Sequence, residues 1–204
     1  MDKDKGVVMW FTGLAGSGKS TLASAVEMRL RMLGLKVENL DADEIRKNLS
    51  PDLGYSPKDR DLNTKRLTFM GKLLARNGVW TLIAAVASLR EFRDRARREI
   101  DQFVEVWVKC PIEECQRRDP KGLFTRAARG EVNDIAGLHQ PYEEPLAPEI
   151  IVETDQETVE RSTDRIMRRL VELGYLPEQA VSGEGYSAED KEQVERRLRA
   201  LGYI

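Results

Sequence analysis

The sequence predicts an α/β protein of three layers, in which helices cover both faces of a mainly parallel sheet of five strands. Two observations predict this class. Short apolar runs alternate along the chain with longer segments whose apolar residues recur at helical spacing. Glycine-rich and acidic motifs follow the apolar runs directly, at the strand ends where parallel sheets place their ligand sites. A chain of 204 residues, 41% of them hydrophobic, can build one such domain with a full core.

The predicted elements follow in order. The apolar runs that predict strands cover residues 7–11, 36–40, 79–86, 103–108 and 149–152. A first helix spans 19–33 and is closed by Gly34, and a long helix begins at Ser56 and Pro57 and runs to 77–78. Two further helices are predicted to open with capping boxes, formed by Ser88 with Glu91 and by Thr154 with Glu157. The last of these helices extends to residue 173.

Composition divides the chain and limits its partners. Residues 1–177 form the predicted domain, and residues 178–204 form a linker followed by an amphipathic helix at 187–201. This tail is either an ordinary helix end or a docking element. The net charge of -2 excludes the basic excess typical of nucleic-acid binding. No apolar run is long enough for a membrane span, and Cys110 and Cys115 suit buried reduced thiols, so a cytoplasmic protein is expected.

A phosphate-binding loop joins the first strand to the first helix. The pattern G-x-x-x-x-G-K-[ST] is met by a continuous run, Gly13, Leu14, Ala15, Gly16, Ser17, Gly18, Lys19 and Ser20, followed by Thr21. Its glycines let backbone N–H groups surround the phosphates, its lysine reaches the β and γ oxygens, and its hydroxyl suits Mg²⁺. The motif predicts a P-loop NTPase-type fold that binds ATP with Mg²⁺ as cofactor.

A pair of carboxylates follows the second strand. Asp41 and Asp43 lie there, five and three residues before Arg46, while the guanine-reading N-K-x-D motif is absent from the sequence. A carboxylate at this place can hold Mg²⁺ or accept the proton of an acceptor hydroxyl, which favours a small-molecule kinase over a switch GTPase. The alternative is that Asp43 only caps a helix beginning at Glu44.

Together these stretches resemble the adenylylsulfate (APS) kinases, which phosphorylate the 3′-hydroxyl of adenosine 5′-phosphosulfate. The resemblance runs collinearly over roughly residues 7–173. Beyond the loop and Asp41-Ala42-Asp43, its most specific parts are Asp119-Pro120-Lys121-Gly122-Leu123 and Pro141-Tyr142-Glu143-Glu144-Pro145. It implies an ATP-dependent kinase that makes 3′-phosphoadenylylsulfate in sulfate assimilation. Homodimers are common in that family, so the resemblance also raises a homodimer here.

The resemblance also implies roles for individual residues. Lys19, Asp41 and Asp43 would be catalytic, and Ser20 with Asp43 would hold the metal. The acceptor would be bound by Arg46, Tyr55, Arg60, Asn63 and Ile135. Two guanidinium groups suit a doubly charged phosphosulfate, and Tyr55 would stack on the acceptor base. A mobile lid at about 117–138 would bring Arg118, Lys121 and Arg126 over the phosphates.

Three positions depart from the family pattern; Ala42, in place of a glycine, is a minor change, and the other two bear on the acceptor. Ala87 stands where the family has a serine, and Ile135 stands where it has a phenylalanine that would stack on the second face of the acceptor base. Base–aromatic stacking is worth roughly 1–3 kcal/mol, which isoleucine does not supply. Two alternatives therefore remain open: the same kinase acting on another nucleotide-like or alcohol acceptor, or a nucleotide-binding subunit that regulates a sulfurylase-type partner.

Overall fold

The computed structural model describes residues 6–181, so the predicted tail helix at 187–201 lies outside the described residues. Five strands form one sheet in the order β2-β3-β1-β4-β5, and every neighbouring pair is parallel. The predicted sheet is therefore confirmed. The strands are β1 Val8–Thr12, β2 Val37–Asp41, β3 Trp80–Ala84, β4 Phe103–Lys109 and β5 Ile150–Glu153.

Helices connect the strands and cover both faces of the sheet. None of the described helices has the length and apolarity needed to cross a membrane. A 3₁₀ turn follows the last helix at Glu178–Ala180, and Ala180 is buried against the core. The helices are α1 Lys19–Met32, α2 Ala42–Leu49, α3 Pro57–Ala75, α4 Arg90–Glu99, α5 Ile112–Arg118, α6 Leu123–Ala128 and α7 Val159–Glu172.

The alternation of side chains along the buried strands creates one core on each face of the sheet. On one face, Met9 and Phe11 of β1 pack with the buried residues of α1 and α7. On the other face, Val8 and Trp10 pack with α3 and α4 through residues such as Leu67. Strands buried on both faces explain the continuous apolar runs of the sequence. The three-layer α/β/α class is thereby confirmed.

The sheet register brings the chemically interesting strand ends together. Phe11 near the end of β1 pairs with Ala84 of β3, and Ala84 pairs on its other side with Asp41 of β2. Thr12 pairs with Trp107 of β4 on the opposite side of β1. The loop after β1 and the carboxylate ending β2 therefore share one edge of the sheet.

The capping box predicted for α4 is wrong. The helix begins at Arg90 with Leu89 as its N-cap, and no side chain of its own segment caps it. Instead, the Arg90 N–H donates to Glu143 Oε2 over 2.8 Å. The Glu143 N–H in turn donates to Ser88 O over 2.8 Å. A carboxylate 53 residues further along the chain thus satisfies the orphan amide at this helix start.

The capping box predicted at Thr154 is wrong as well. Helix α7 begins at Val159, and the hydroxyl of Thr158 caps it by accepting from Arg161 N over 3.3 Å. The Thr154 hydroxyl donates instead to Ser17 O over 2.8 Å. Thr154 therefore supports the phosphate-binding loop from the end of β5.

Candidate active site

The loop between β1 and α1 has the geometry of an anion cradle. A β-carbon on Gly13 would lie 2.3 Å from Val108 O, so no larger residue fits against β4 there. Gly18 adopts a left-handed conformation, with φ of 97°, and serves as the N-cap of α1 without any side-chain cap. The first amides of α1 are thus left to an external acceptor, and the positive end of the helix faces the same place.

Lys19 lies within this cradle. Its ammonium donates to Leu14 O over 2.7 Å. Burial lowers the pKa of Lys19 to about 8, although Cys115, Asp43 and Asp41 act in the opposite direction. A lysine whose positive charge is poorly solvated in this way gains strongly from an incoming phosphate.

Ser20 and Asp41 join the start of α1 to the end of β2. The Ser20 hydroxyl donates to Asp41 Oδ2 over 2.5 Å. Asp41 Oδ1 accepts from the amides of Asp43 and Glu44 over 2.9 and 3.4 Å. Asp41, rather than Asp43, is therefore the N-cap of α2, which begins at Ala42. The alternative that Asp43 caps this helix is therefore wrong.

Asp43 contacts the predicted lid. Lys121 Nζ donates to Asp43 Oδ2 over 2.5 Å, and the two side chains are 64% and 58% exposed. Because the pair is open to solvent, it adds little to stability. It does place the Lys121 ammonium against the carboxylate that stands next to the cradle.

The turn before α6 positions Lys121. Gly122 N donates to Asp119 O over 2.9 Å, which closes the turn around the lysine. The Asp119 carboxylate accepts from the amides of Phe124 and Thr125 over 3.0 and 2.9 Å and so holds the start of α6. In the Asp-Pro-Lys-Gly segment, Asp119 thus stabilises the start of α6, whereas Lys121 contacts Asp43.

Two of the predicted acceptor residues, Arg46 and Arg60, lie around Tyr55. The guanidinium carbons of Arg46 and Arg60 lie 4.3 and 5.5 Å from the centre of the Tyr55 ring, which is half exposed. Arg60 Nε donates to Tyr55 O over 3.0 Å, and Arg46 donates to Gly54 O. Burial, and after it the neighbouring Arg46, lower the pKa of Arg60. Two cations held side by side in this way favour an anion between them.

Asn63 and Ile135 have different surroundings. Asn63 is 6% exposed, and its side-chain oxygen has no hydrogen-bond partner among residues 6–181. Ile135 is 2% exposed and belongs to a cluster with Cys110, Cys115 and Phe124, against which Leu14 and other partly buried apolar residues pack. In this conformation Ile135 offers no open face to an acceptor base.

The other two predicted lid cations are paired away from Asp43. Arg118 donates to Thr154 twice, to its hydroxyl over 3.2 Å and to its carbonyl over 2.7 Å. Arg126 pairs with Glu131 at 3.3 Å on the surface. Of the three, Lys121 reaches a predicted catalytic residue, and Arg118 is joined to the cradle through Thr154 and Ser17.

Comparison with known proteins places this arrangement in a family. A family model described as adenylylsulphate kinase matches residues 5–153. An adenylyl-sulfate kinase of Picosynechococcus sp. is 46% identical over 172 residues, which cover 84% of this chain and 97% of the relative. The chain belongs to the adenylylsulfate kinase family. The predicted resemblance is thereby confirmed, and the protein is a kinase.

Two further comparisons extend the likeness. A solved structure of the Mycobacterium tuberculosis APS kinase in complex with AMPPNP and APS is 37% identical, with a TM-score of 0.79 over 82% of this kinase and 98% of that chain. A probable bifunctional SAT/APS kinase of Sorangium cellulosum is 46% identical over 182 residues, which cover 87% of this kinase but 31% of that relative. The kinase unit therefore also occurs within a longer protein.

Sequence reasoning missed the residues that join the end of β1 to the segment after β3 and to the segment before β5. The Tyr142 hydroxyl lies 3.1 Å from the Thr12 hydroxyl, which donates to Val86 O over 2.6 Å. Burial raises the pKa of Tyr142 to about 12, so this hydroxyl keeps its proton. The Pro-Tyr-Glu-Glu-Pro segment stood out in the sequence, but nothing local indicated which loops it joins.

A buried arginine completes this support. Arg93 is 2% exposed and donates to Glu105 Oε1 over 2.8 Å, to Glu143 O and to Ala87 O. Ala87, at the position of the family serine, has a positive φ of 41° and is 8% exposed. The guanidinium thus fixes the backbone after β3 and the segment that also caps α4. Its only sequence signal was membership of an arginine-rich helix.

Proposed function

We propose that this kinase transfers the γ-phosphoryl group of ATP to the 3′-hydroxyl of adenosine 5′-phosphosulfate, giving ADP and 3′-phosphoadenylylsulfate. Family membership supports this acceptor. The observation that carries the proposal is the contact of Lys121 with Asp43 beside the phosphate cradle. It brings the donor loop, a carboxylate and a lid cation to one edge of the sheet, which is the arrangement that phosphoryl transfer needs.

On the donor side, the amides of residues 13–20 surround the phosphates of ATP, and Lys19 exchanges its contact with Leu14 O for the β and γ oxygens. Burial destabilises the charged form of Lys19, and the negative charge of a bound phosphate offsets this destabilisation. The exchange favours the charged phosphate over neutral ligands.

The residues present fit a magnesium ion. Among residues 6–181, no group of three or more His, Cys, Asp and Glu side chains could hold a metal by itself. This suits Mg²⁺, which keeps several waters and is usually held by one or two protein oxygens together with substrate phosphates. Ser20 and Asp41, in mutual contact at the cradle, and Asp43 next to them would hold it. Mg²⁺ supplies charge neutralisation at the phosphates.

On the acceptor side, Arg46 and Arg60 exchange their backbone carbonyl partners for the phosphosulfate anion, which relieves the repulsion between them. The half-exposed ring of Tyr55 stacks on the adenine, and the free side-chain oxygen of Asn63 accepts from the sugar or base. These groups hold the acceptor with its 3′-hydroxyl toward the donor.

In the transfer step, the acceptor 3′-oxygen forms a bond to the γ-phosphorus as the bond from that phosphorus to the bridging oxygen of ADP breaks. The Asp43 carboxylate accepts the proton of the hydroxyl. Lys121, leaving Asp43, turns to the transferred group and neutralises its charge. Arg118 keeps the cradle in place through Thr154.

A coupled assay of ADP release with Mg-ATP and adenosine 5′-phosphosulfate tests the proposal. Release should depend on the acceptor, and Asp43→Asn should lower kcat by about 10²–10⁴-fold, as expected for loss of a general base. Asp94→Asn, on the exposed side of α4, serves as the matched control and should leave kcat unchanged. Release no faster than without acceptor, in the unmodified protein, would sink the proposed acceptor and lead to a screen of other nucleotide-like alcohols.

We also propose that the kinase is cytoplasmic and forms a homodimer. Two free and buried cysteines support a reducing compartment, since Cys110 and Cys115 form no disulfide. The dimer is supported by family resemblance alone. Sedimentation velocity at micromolar concentration should give a mass near twice 23.2 kDa, and a single species at 23.2 kDa would contradict the dimer.

A further inference from the structure

A turn formed by residues 134–140 lies next to the loop that carries Tyr55. The turn is closed on itself, because Gly137 N donates to Gln140 O over 2.7 Å and Gln140 N donates to Ile135 O over 3.1 Å. A β-carbon on Gly137 would lie 2.5 Å from Leu14 Cδ2, so the turn also packs closely on the phosphate-binding loop. It thus stands between the donor cradle and the proposed acceptor site.

Two side chains connect this turn to the Tyr55 loop. Gln140 Nε2 lies 2.8 Å from Asp134 Oδ1 and 3.4 Å from Tyr55 O. Arg60 makes the parallel connection, with one donation to Tyr55 O and one to Asp134 O. Tyr55 and Asp134 therefore each accept from both donors, and the four residues form one polar link across a sequence separation of more than 70 residues.

The two donors of this link, Arg60 and Gln140, respond differently when an acceptor binds. Arg60 carries a charge and lies beside Arg46, so an incoming phosphosulfate competes for its guanidinium. The Gln140 amide is neutral and has no such attraction to the anion. Once Arg60 turns to the acceptor, Gln140 is the donor that still joins the turn to the Tyr55 loop.

We propose that Gln140 is a positioning residue for the acceptor: its side-chain amide holds the Tyr55 loop at a fixed distance from the 134–140 turn while Arg60 is engaged by the anion. The inference rests on the proposed function of the Tyr55–Arg60 site. Because the Gln140 side chain hydrogen-bonds to Asp134 and Tyr55 and not to the phosphate-binding loop, it acts on acceptor binding and leaves ATP binding unchanged.

Steady-state kinetics of Gln140→Glu and Gln140→Ala test this role. The introduced carboxylate cannot donate and repels Asp134, so Gln140→Glu should raise the KM for adenosine 5′-phosphosulfate by about tenfold, and Gln140→Ala by about threefold, the range that one hydrogen bond supplies. The KM for ATP and kcat should stay within about twofold, since binding is weakened equally in the ground and transition states. An unchanged acceptor KM, or an equal rise in the ATP KM, overturns the proposal.

A second variant separates the bond to Tyr55 from the bond inside the turn. Adding Asp134→Asn to Gln140→Glu restores a hydrogen bond within the turn, because the new amide can donate to the new carboxylate, but that carboxylate still cannot donate to Tyr55 O. The double variant should therefore keep most of the rise in the acceptor KM, and a return to the unmodified value would overturn the proposal. Gln102→Glu makes the same chemical change at the opposite edge of the sheet, where Gln102 O accepts from Val8 N, and should leave both KM values unchanged.

Hydrogen exchange distinguishes this inference from the proposed acceptor itself. Gln140→Glu should speed amide exchange in residues 53–56 and 134–140 of the ligand-free protein and leave helix α7, which packs on the other face of the sheet, unchanged. If the unmodified protein does not release ADP with adenosine 5′-phosphosulfate but exchange changes as expected, the acceptor is wrong and the link stands. Unchanged exchange in both segments overturns the link, whatever the acceptor is.

Discussion

Replacing Lys19 with methionine should stabilise the nucleotide-free protein while it removes phosphoryl transfer. The fall of the Lys19 pKa from the ordinary 10.5 to about 8 means that the folded state disfavours the charged ammonium by about 3 kcal/mol, at about 1.36 kcal/mol per pH unit. Methionine leaves Leu14 O without its donor, which costs about 1–2 kcal/mol. A net gain of about 1–2 kcal/mol in the free energy of unfolding follows at pH 7.

The lowered pKa of Lys19 makes the free energy of unfolding rise with pH. Below pH 8 the lysine is protonated in the folded and the unfolded chain, so the native protein bears the full cost of the buried charge. Between pH 8 and 10.5 the folded lysine loses its proton before the unfolded one does. The cost therefore fades as the pH rises through this window, and the advantage of Lys19→Met fades with it.

Urea unfolding at pH 7.0 and 9.5 measures both effects. Lys36→Met, at an exposed lysine before β2, serves as the matched control and should shift the free energy of unfolding by less than about 0.5 kcal/mol at either pH. A Lys19→Met protein that is less stable than the unmodified protein at pH 7, or a difference that stays constant up to pH 9.5, would refute the reasoning. Saturating ATP should reverse the order of stability, because only the lysine protein gains from the phosphate.

Three other substitutions or reactions have defined outcomes. Arg93→Met leaves the buried Glu105 with Arg97 as its remaining ion-pair partner, so the free energy of unfolding measured in urea should fall by about 3–5 kcal/mol. Adding Glu105→Gln removes the poorly paired charge and should restore part of the lost stability. A double variant no more stable than Arg93→Met would contradict this explanation. Thr154→Val removes the hydroxyl between Ser17 O and Arg118, so the KM for ATP should rise about three- to tenfold while the acceptor KM changes less; an unchanged ATP KM would contradict this support. Burial raises the pKa of Cys115 to about 12, so a disulfide reagent at pH 8 should label neither thiol until urea unfolds the protein, and rapid labelling of the native state would contradict the burial of both cysteines.

The fold was predictable because its signals are local. Strands buried on both faces appear as apolar runs, and helices such as α3, with Ser56 as its N-cap and Pro57 at its start, carry their own start signals. The phosphate-binding loop was predictable for the same reason, since all its residues are consecutive and its function needs that spacing. Asp41 and Asp43 stood out because Asp41 ends the second strand and Asp43 follows two residues later.

The contacts that assemble the site were not predictable, since they join residues far apart in sequence. Glu143 caps α4 in place of Ser88 and Glu91, and Thr154 supports Ser17 rather than capping α7. In both cases the local pattern fits a capping box, but the helix begins one or more residues later and a distant partner takes the polar group. The burial of Ile135 likewise depends on how the 134–140 turn packs on Leu14.

The central claim, transfer from ATP to the 3′-hydroxyl of adenosine 5′-phosphosulfate at the Asp43–Lys121 edge, is tested most directly by ³¹P NMR of the product. Incubation with Mg-ATP and the acceptor should give ADP and an equal amount of a new phosphomonoester whose phosphorus couples to the ribose 3′ proton, and Lys19→Met should give neither. ADP accompanied only by inorganic phosphate, or a phosphomonoester on another oxygen of the acceptor, would contradict the account.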